Sequence, residues 1–528
     1  MLLRINPITR KRWQRFRRMR RAWFSFWLLL LIYGLSLVAE LLCNSNPLLL
    51  VWQGRIFFPF CKFYPEDTFT GNGRATRPDY RQLSQRQDFQ QSAWILWAPV
   101  VNDPYRSVPV AELEQHLRVF CRLTAIPKVA GISINQDFQV IRAVGLKTFG
   151  DGQEPDWRGK KLQELWEIPA QLQKALEARL DGKEAQPQLE VVCAGKQGLP
   201  SLRFVLLPSQ KGARRSVRIT LREPESGANQ LLRWTFAKGE DIPRQKRREF
   251  AALPQKLRQQ ILAQVHASAR HENPPEQEVF LEGRPMKLSS ELEQVRFPFR
   301  PTPGHWLGLD DAGRDVFARI LYGLRSSLSF GLILVFCAMT AGTVIGMLQG
   351  YLGGWVDITG QRLIEIWSAL PFLYIMILMG SIYGPSFKLL IFCYAIFNWI
   401  GISYYMRAEM LRLRCLPFVE AARCLGLPGW KIALRHILPN SLVPLITFFP
   451  FSLVGAIGSL AALDYLGFGL PPPTPSLGQL LQQAQNQRWA WWLTLYPSLT
   501  LFVIMLLGVF IGEGLRNAFD PRRQNRLQ

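Results

Sequence analysis

Five stretches in the C-terminal part of this chain carry no charged residue: 326–356, 366–387, 389–406, 437–463 and 489–512. A sixth, 22–39, lies near the N-terminus. A bilayer core takes about 18–20 apolar residues as a helix, so each stretch is long enough, or nearly so, to cross one. A chain of 528 residues could otherwise be divided into several soluble domains. Here the apolar residues are clumped, and a mean hydropathy near zero averages very apolar segments with very polar ones. The fold class expected is an all-α polytopic membrane protein with a large water-exposed part, and a soluble enzyme is excluded.

Charge sets the orientation. The net charge is +24, and the first 21 residues hold nine Lys or Arg and no acid. Such a run suits a nucleic-acid arm in principle, but it abuts an apolar span directly and reads as a cytoplasmic anchor. A cleavable signal peptide fits less well, because the apolar region is long and no A-x-A site follows it. Six crossings are expected, at about 22–42, 326–349, 362–383, 387–406, 440–463 and 490–512. Both termini then face the cytoplasm. The segment 407–435 agrees, with Arg407, Arg412, Arg414, Arg423, Lys431 and Arg435, while the opposite loops 384–388 and 464–488 hold only Lys388 and Arg488. Residues 43–325 fall outside the cytoplasm. Four cysteines (Cys43, Cys61, Cys121, Cys193) lie there, where disulfides form; Cys43 with Cys61 is the pair to test first, and free buried thiols are the alternative.

Catalytic signatures are missing. The sequence has no GxxxxGK[ST], HExxH, CxxC or GxSxG, and only five histidines. No catalytic residue, resident cofactor or metal site is expected, and any ATP consumed must be hydrolysed by another chain.

The cytoplasmic stretch FVEAARCLGLPGWKIALRHILPN (418–440) reads as helix, glycine break, helix. Ala421 and Ala422 allow another surface to approach, Gly426 permits a tight turn, and Pro439 suits the first turn of the next span. An ordinary basic loop helix is the plainer reading. Glu420-Ala421-Ala422, Gly426 and Leu438-Pro439 resemble the EAA loop of ABC importer permeases, which docks on a cytoplasmic ATPase; His436 replaces the usual Ile. Further blocks resemble the peptide/nickel branch: HWLGLDDAGRDVFARILYGLRSSLSFG (305–331), GYLGGWVDITGQRLIEIWSALP (350–371) and LDYLGFGLPPPTPSLGQLL (463–481). With INPITRKRWQRFRRMRRAWFSFWLLLLIYGLSLVAELL and AWILWAP, the chain is similar to the microcin C/oligopeptide permease subfamily. That resemblance implies a type I permease fold of six transmembrane helices, a second permease subunit, two ATPase domains and an extracytoplasmic solute-binding protein. No nucleic acid is implied.

Arg362 and Glu365 sit near the start of the third span, where an ionisable pair is either a helix tether or part of the substrate path. Glu513 and Asp464, at span ends, read as structural groups solvated by the interface. Pro371 reads as a kink, and Gly342 and Gly346 as a close-packing face.

Residues 103–292 interrupt the subfamily pattern. A helix expected at Val110–Leu123, strands at VAGISIN and FQVIRAVG, a helical GKKLQELWEIPAQLQKALEARLDGK, and strands at QLEVVCAG, LRFVLLP and SVRITLRE resemble a PAS domain, about 108–225. A basic helical segment follows, about 241–292, with a helical pair at 241–271. The organisation expected is thus a basic head (1–21), a first span (22–42), an extracytoplasmic region (43–325), a five-helix core (326–512) with its docking loop (407–439), and a cytoplasmic tail (513–528). The competing reading is a membrane sensor that reports an outside ligand through the PAS-like insert.

Overall fold

A computed structural model describes residues 7–519 except 127–128, 145–155, 182–186, 197–198, 209–215, 223–230, 273 and 282–283. Most of the tail and its Arg522, Arg523 and Arg526 lie outside the described residues. The chain divides into two compact units, Met1–Val110 with Arg296–Gln528, and Ala111–Val295.

The basic head forms helix α1 (Pro7–Arg18), and α2 (Arg20–Leu37) follows directly. The expected first span is thus an 18-residue helix that begins with two arginines, broken at Val38 before a single turn, Ala39–Leu42. A three-stranded antiparallel sheet, order β2-β1-β3, comes next: β1 (Leu49–Trp52), β2 (Arg55–Phe57) and β3 (Ala93–Leu96). It closes over Leu50, Phe69 and Phe89, with Trp52 stacked on Phe89 at 5.1 Å.

The second unit contains two antiparallel sheets with separate cores. Helix α3 (Val110–Glu114) is far shorter than the 110–123 expected, because Arg118–Ala125 is instead a strand, β4. Val119, Cys121 and Leu123 are all buried, so the apolar side chains there repeat every second residue, the period of a strand. The five anticipated strands are all present: β5 (Val129–Ile134), β6 (Val140–Val144), β7 (Leu189–Cys193), β8 (Leu202–Leu206) and β9 (Val217–Arg222). They pair in the order β6-β5-β9-β8-β7. Helix α4 (Ala170–Asp181) covers this sheet through Leu172, Leu176 and Leu180. The helical stretch expected over 159–183 falls into two pieces: Leu162–Leu165 forms one turn, and Pro169 then starts α4 anew.

A second sheet, order β10-β4-β12-β11, was not foreseen: β10 (Leu231–Ala237), β11 (Gln277–Leu281) and β12 (Arg284–Leu292). The helical pair at 241–271 is present as a turn, Arg247–Ala251, and helix α5 (Gln255–Ala269). Its Leu257, Ile261 and Val265 pack on Trp234 and Leu288 of the sheet. The segment 241–292 is therefore helix followed by two strands, not helical throughout.

The remaining helices are α6 (Val316–Leu352), α7 (Gly354–Ser368), α8 (Phe372–Tyr383), α9 (Phe387–Leu413), α10 (Pro417–Cys424), α11 (Leu438–Leu466), α12 (Leu477–Asn486) and α13 (Trp491–Phe519). Among the described residues four helical segments are long and apolar enough to cross a membrane, and five if α7 and α8 are one broken span. The third expected crossing is the one that breaks. Its two halves meet at 68° around Pro371, a sharper bend than a proline kink in a continuous span.

Helices α6 and α9 pack backbone to backbone along a glycine row. A Cβ at Gly342 would lie 2.6 Å from Cβ of Ile402, and one at Gly350 2.6 Å from the Arg407 carbonyl oxygen. Gly346 faces the Ser403 carbonyl just as closely. The close-packing face expected of Gly342 and Gly346 thus exists and extends one turn further.

Candidate functional site

The 414–440 loop is built on its own small core. Val419 and Ala422 of α10 are buried with Ile432, Ile437, Met406 and Met410, so the loop is a packed extension of α9 and α11. Helix α10 starts with Pro417 at its first position, where the missing N–H costs nothing. It ends in a Schellman motif: the Leu427 N–H donates to the Ala422 carbonyl and the Gly426 N–H to the Arg423 carbonyl. Gly426 has φ +74°, and a Cβ there would meet nothing within 4 Å. The glycine answers a backbone requirement and not a lack of space within the chain. Next come a short turn, Gly429–Lys431, and one π-helical stretch, Ile432–Ile437, leading into α11 with Leu438-Pro439 in its first turn.

This arrangement sorts the motif by exposure. Ala422 and Ile437 are buried and Leu438 half-buried, while Glu420, Ala421, Gly426 and Pro439 are exposed. Around the exposed set, Leu425 (80%) and Trp430 (63%) stand in the open. A small carboxylate-bearing helix end ringed by apolar side chains suits a protein partner. Several of the basic residues here serve the fold: Arg407 pairs with Asp357, Arg412 with Glu409, and Arg414 donates to the Gly350 carbonyl at 3.1 Å.

The other predicted pair is local. Arg362 Nη1 lies 2.6 Å from Glu365 Oε2 on the same helix, both well exposed. Among the described residues the ion pair of Glu365 is this one, within its own helix.

At the opposite end of α6 lies a buried polar cluster that sequence reasoning left without roles. Arg319, fully buried, faces Asp310 Oδ2 at 3.3 Å and donates to the Pro104 carbonyl at 3.1 Å and Gln479 Oε1 at 2.6 Å. Asp310 also accepts from Arg314 Nε at 2.8 Å. Asp315 caps α6 through the Ala318 N–H and binds His305 Nδ1 at 2.8 Å and Asn102 Nδ2 at 2.9 Å. The i,i+4 spacing of Asp310 and Arg314 was the available signal. Asp464 is buried, not solvated as expected; it accepts from the Leu470 N–H at 2.7 Å and from Ser476 Oγ, fixing the turn after α11. All eight cysteines are free, and Cys43 Sγ donates to the Asn102 carbonyl while Cys61 is exposed, so the pair to be tested first is not joined. Among the described residues no group of three His, Cys, Asp or Glu side chains could hold a metal.

The sequence of residues 342–525 matches the family model described as binding-protein-dependent transport system inner membrane component. The glutathione transport system permease protein of Pectobacterium atrosepticum is 36% identical over 223 residues, 42% of this chain and 74% of that one. The chain belongs to this permease family. It is also 28% identical over 521 residues to a peptidoglycan transport system permease protein of Agrobacterium fabrum, covering 99% of this chain and 95% of the relative. An inner membrane ABC transporter permease protein of Escherichia coli is 29% identical over 520 residues, 98% and 99% of the two chains. The permease is thus a multi-pass inner-membrane protein that works with the other components of an ABC transporter.

Proposed function

We propose that this permease forms the membrane path of a binding-protein-dependent importer for oligopeptides or peptide-like compounds, moving them inward by alternating access. The relatives named for glutathione, dipeptide, oligopeptide and peptidoglycan transport support the substrate class. The observation that carries the mechanism is the folded 414–440 loop, which presents Glu420 and Ala421 outward while burying Ala422 beneath them. A rigid loop of this kind transmits motion of a docked partner directly to α9 and α11, on which it is built.

In this reading two ATPase domains bind below, one at the 407–439 loop, with Glu420, Ala421, Ala422, Gly426, Leu438 and Pro439 as the coupling set. A second permease subunit covers the exposed apolar side chains of α7 and α8, such as Trp355, Ile366 and Tyr374, and Arg362 with Glu365 lies at that boundary. The chain crosses six times, α2 included, with both termini cytoplasmic and 43–325 facing the binding protein. The strand order of the five-stranded sheet, with the last strand beside the first, supports the PAS-like reading of the insert. A sensor gives the docking loop no purpose and is the weaker reading. The test is a Glu420→Lys variant assembled with its ATPase and reconstituted. Binding-protein-stimulated ATP hydrolysis should fall at least tenfold with expression unchanged; stimulation at the original rate would remove the docking assignment.

A further inference from the structure

Two cavities share the groove between α11 and α13 at the end of the bundle that carries the docking loop. The outer one, about 590 Å³, is lined by Arg12, Arg412 and Arg516 together with Glu409 and polar groups of α11 such as Asn440 and Thr447. The inner one, about 370 Å³, is lined by apolar side chains and Tyr33, including Trp13, Phe449, Leu453 and Ile511. The two run along the same helices. On α11 the lining passes from Asn440 to Leu453, and on α13 from Phe519 back to Gly508. At 1.5 Å per residue these runs are about 20 Å and about 16 Å long. One leaflet of a bilayer core, half of about 30 Å, has that depth.

Charge and polarity divide along the groove as they do along a phospholipid. Glu409 is occupied by Arg412, whose Nε donates to it at 3.0 Å, so that pair is locally neutral. Arg12 and Arg516 have no acidic partner among the described residues. The Arg12 guanidinium lies 5.1 Å above the Phe519 ring, and its Nε is buried without a hydrogen-bond partner. A buried, unpaired guanidinium donor costs free energy unless an acceptor reaches it. Guanidinium groups bind phosphate through planar, paired donors.

We infer that this groove is a site for one anionic phospholipid, its phosphate held by Arg12 and Arg516 and an acyl chain lying in the apolar part between α2, α11 and α13. Helix α1 closes the groove from outside, which gives the basic head a role beyond orientation. The leaflet involved is the one on the docking-loop side; naming it cytoplasmic rests on the topology proposed above. Basic pockets at this level between membrane helices have the chemistry that anionic headgroups require.

The experiment uses the assembled transporter in nanodiscs of phosphatidylcholine doped with a photoactivatable phosphatidylglycerol that carries a diazirine in its acyl chain. Crosslinks should map to peptides of α11 or α13 around Phe449–Leu453 and Gly508–Leu515. Unlabelled phosphatidylglycerol should compete, and phosphatidylcholine should not. The double variant Arg12→Gln, Arg516→Gln should weaken labelling roughly tenfold to thirtyfold, as expected for two arginines at an anionic surface, with assembly intact by size-exclusion chromatography. Equal competition by both lipids would reduce the site to ordinary boundary lipid and overturn the proposal. Competition by inorganic phosphate alone would make it a phosphate site, and lipid labelling that spares the groove in the assembled transporter but reaches it in the isolated chain would show a protein occupant; either outcome overturns it too. Phosphatidylglycerol-specific labelling that appears only when probe is supplied to the opposite leaflet of cell membranes would refute the topology and leave the site standing.

Discussion

Asp357, in the first turn of α7, takes both prongs of the Arg407 guanidinium on α9: Nη2 reaches Oδ2 at 2.6 Å while Nε faces Oδ1. Arg407 counts in the sequence as one more positive charge on the cytoplasmic side. In the fold it is a clamp. Helix α7 has few buried side chains of its own; Gln361 links it to Gln349 of α6 at 2.9 Å, and Trp367 Nε1 donates to the Ile396 carbonyl of α9 at 3.2 Å.

Removing the clamp should free α7. The carboxylate is largely buried and makes two charge-assisted bonds, so Asp357→Ala should cost about 2 kcal/mol. Asp357→Arg should be worse, and combining it with Arg407→Asp should recover most of the loss. Thermal unfolding of the purified protein in detergent measures this. A double variant no better than Asp357→Arg would show that the pair holds nothing.

The glycine row between α6 and α9 predicts a contrast within one protein. A side chain at Gly346 meets the Ser403 carbonyl and Cβ of Met406, whereas Gly380 on α8 has open space around it. Overpacking of this kind costs about 1–3 kcal/mol. Gly346→Val should therefore lower the unfolding temperature or the yield of folded protein, and Gly380→Val should do neither in the isolated chain. Equal effects would mean that helix propensity alone is being read.

At Gly426 the backbone requirement and the space around it separate cleanly. The residue is left-handed and its Cβ position is empty, so asparagine, which tolerates this conformation, should hold the turn, while valine should strain it by about 1–2 kcal/mol. Binding-protein-stimulated ATP hydrolysis of the assembled transporter should stay near normal in Gly426→Asn and fall several-fold in Gly426→Val. Loss in both variants would place the partner's surface directly against this glycine.

What was legible in the sequence follows from where one signal dominated. Charge-free runs located the helices because little else satisfies a buried backbone in lipid, and Gly342 and Gly346 announced their packing by spacing alone. The break at Pro371 was visible, its 68° angle was not, because the angle is set by what α7 and α8 pack against. The second sheet of the insert escaped because its strands are scattered: β4 pairs with β10 and β12, both more than a hundred residues away. The stretch 110–123 then read as a helix by its first five residues. Arg319 and Asp310 escaped for the same reason, since Gln479 and Pro104 reach them from distant segments.

That pairing changes which fragment of the insert folds. A piece ending near residue 225 would carry β4 without β10 or β12, leaving Val119, Cys121 and Leu123 without their sheet. Residues 111–295 should unfold cooperatively with dispersed amide resonances, whereas 108–225 should show extra, poorly dispersed signals from its first twenty residues. Identical dispersion in both would mean that the four-stranded sheet contributes nothing to the fold of β4.

The native cysteines test the topology without engineering. Cys61, Cys415 and Cys424 are exposed; Cys43, Cys121 and Cys193 are buried. Burial pushes the Cys121 thiol up to about 12 and Cys193 up to about 11, and burial followed by the nearby Asp315 carboxylate raises Cys43 as well. A raised thiol stays protonated at neutral pH and reacts slowly, since the thiolate is the nucleophile. In intact cells with the outer barrier opened, a membrane-impermeant maleimide should therefore label the folded protein at Cys61 alone. Cys61→Ser should abolish that signal, and opening the inner membrane should then expose Cys415 and Cys424. If outside labelling survives Cys61→Ser and disappears with Cys415→Ser and Cys424→Ser, the docking loop faces outward and the importer orientation is wrong.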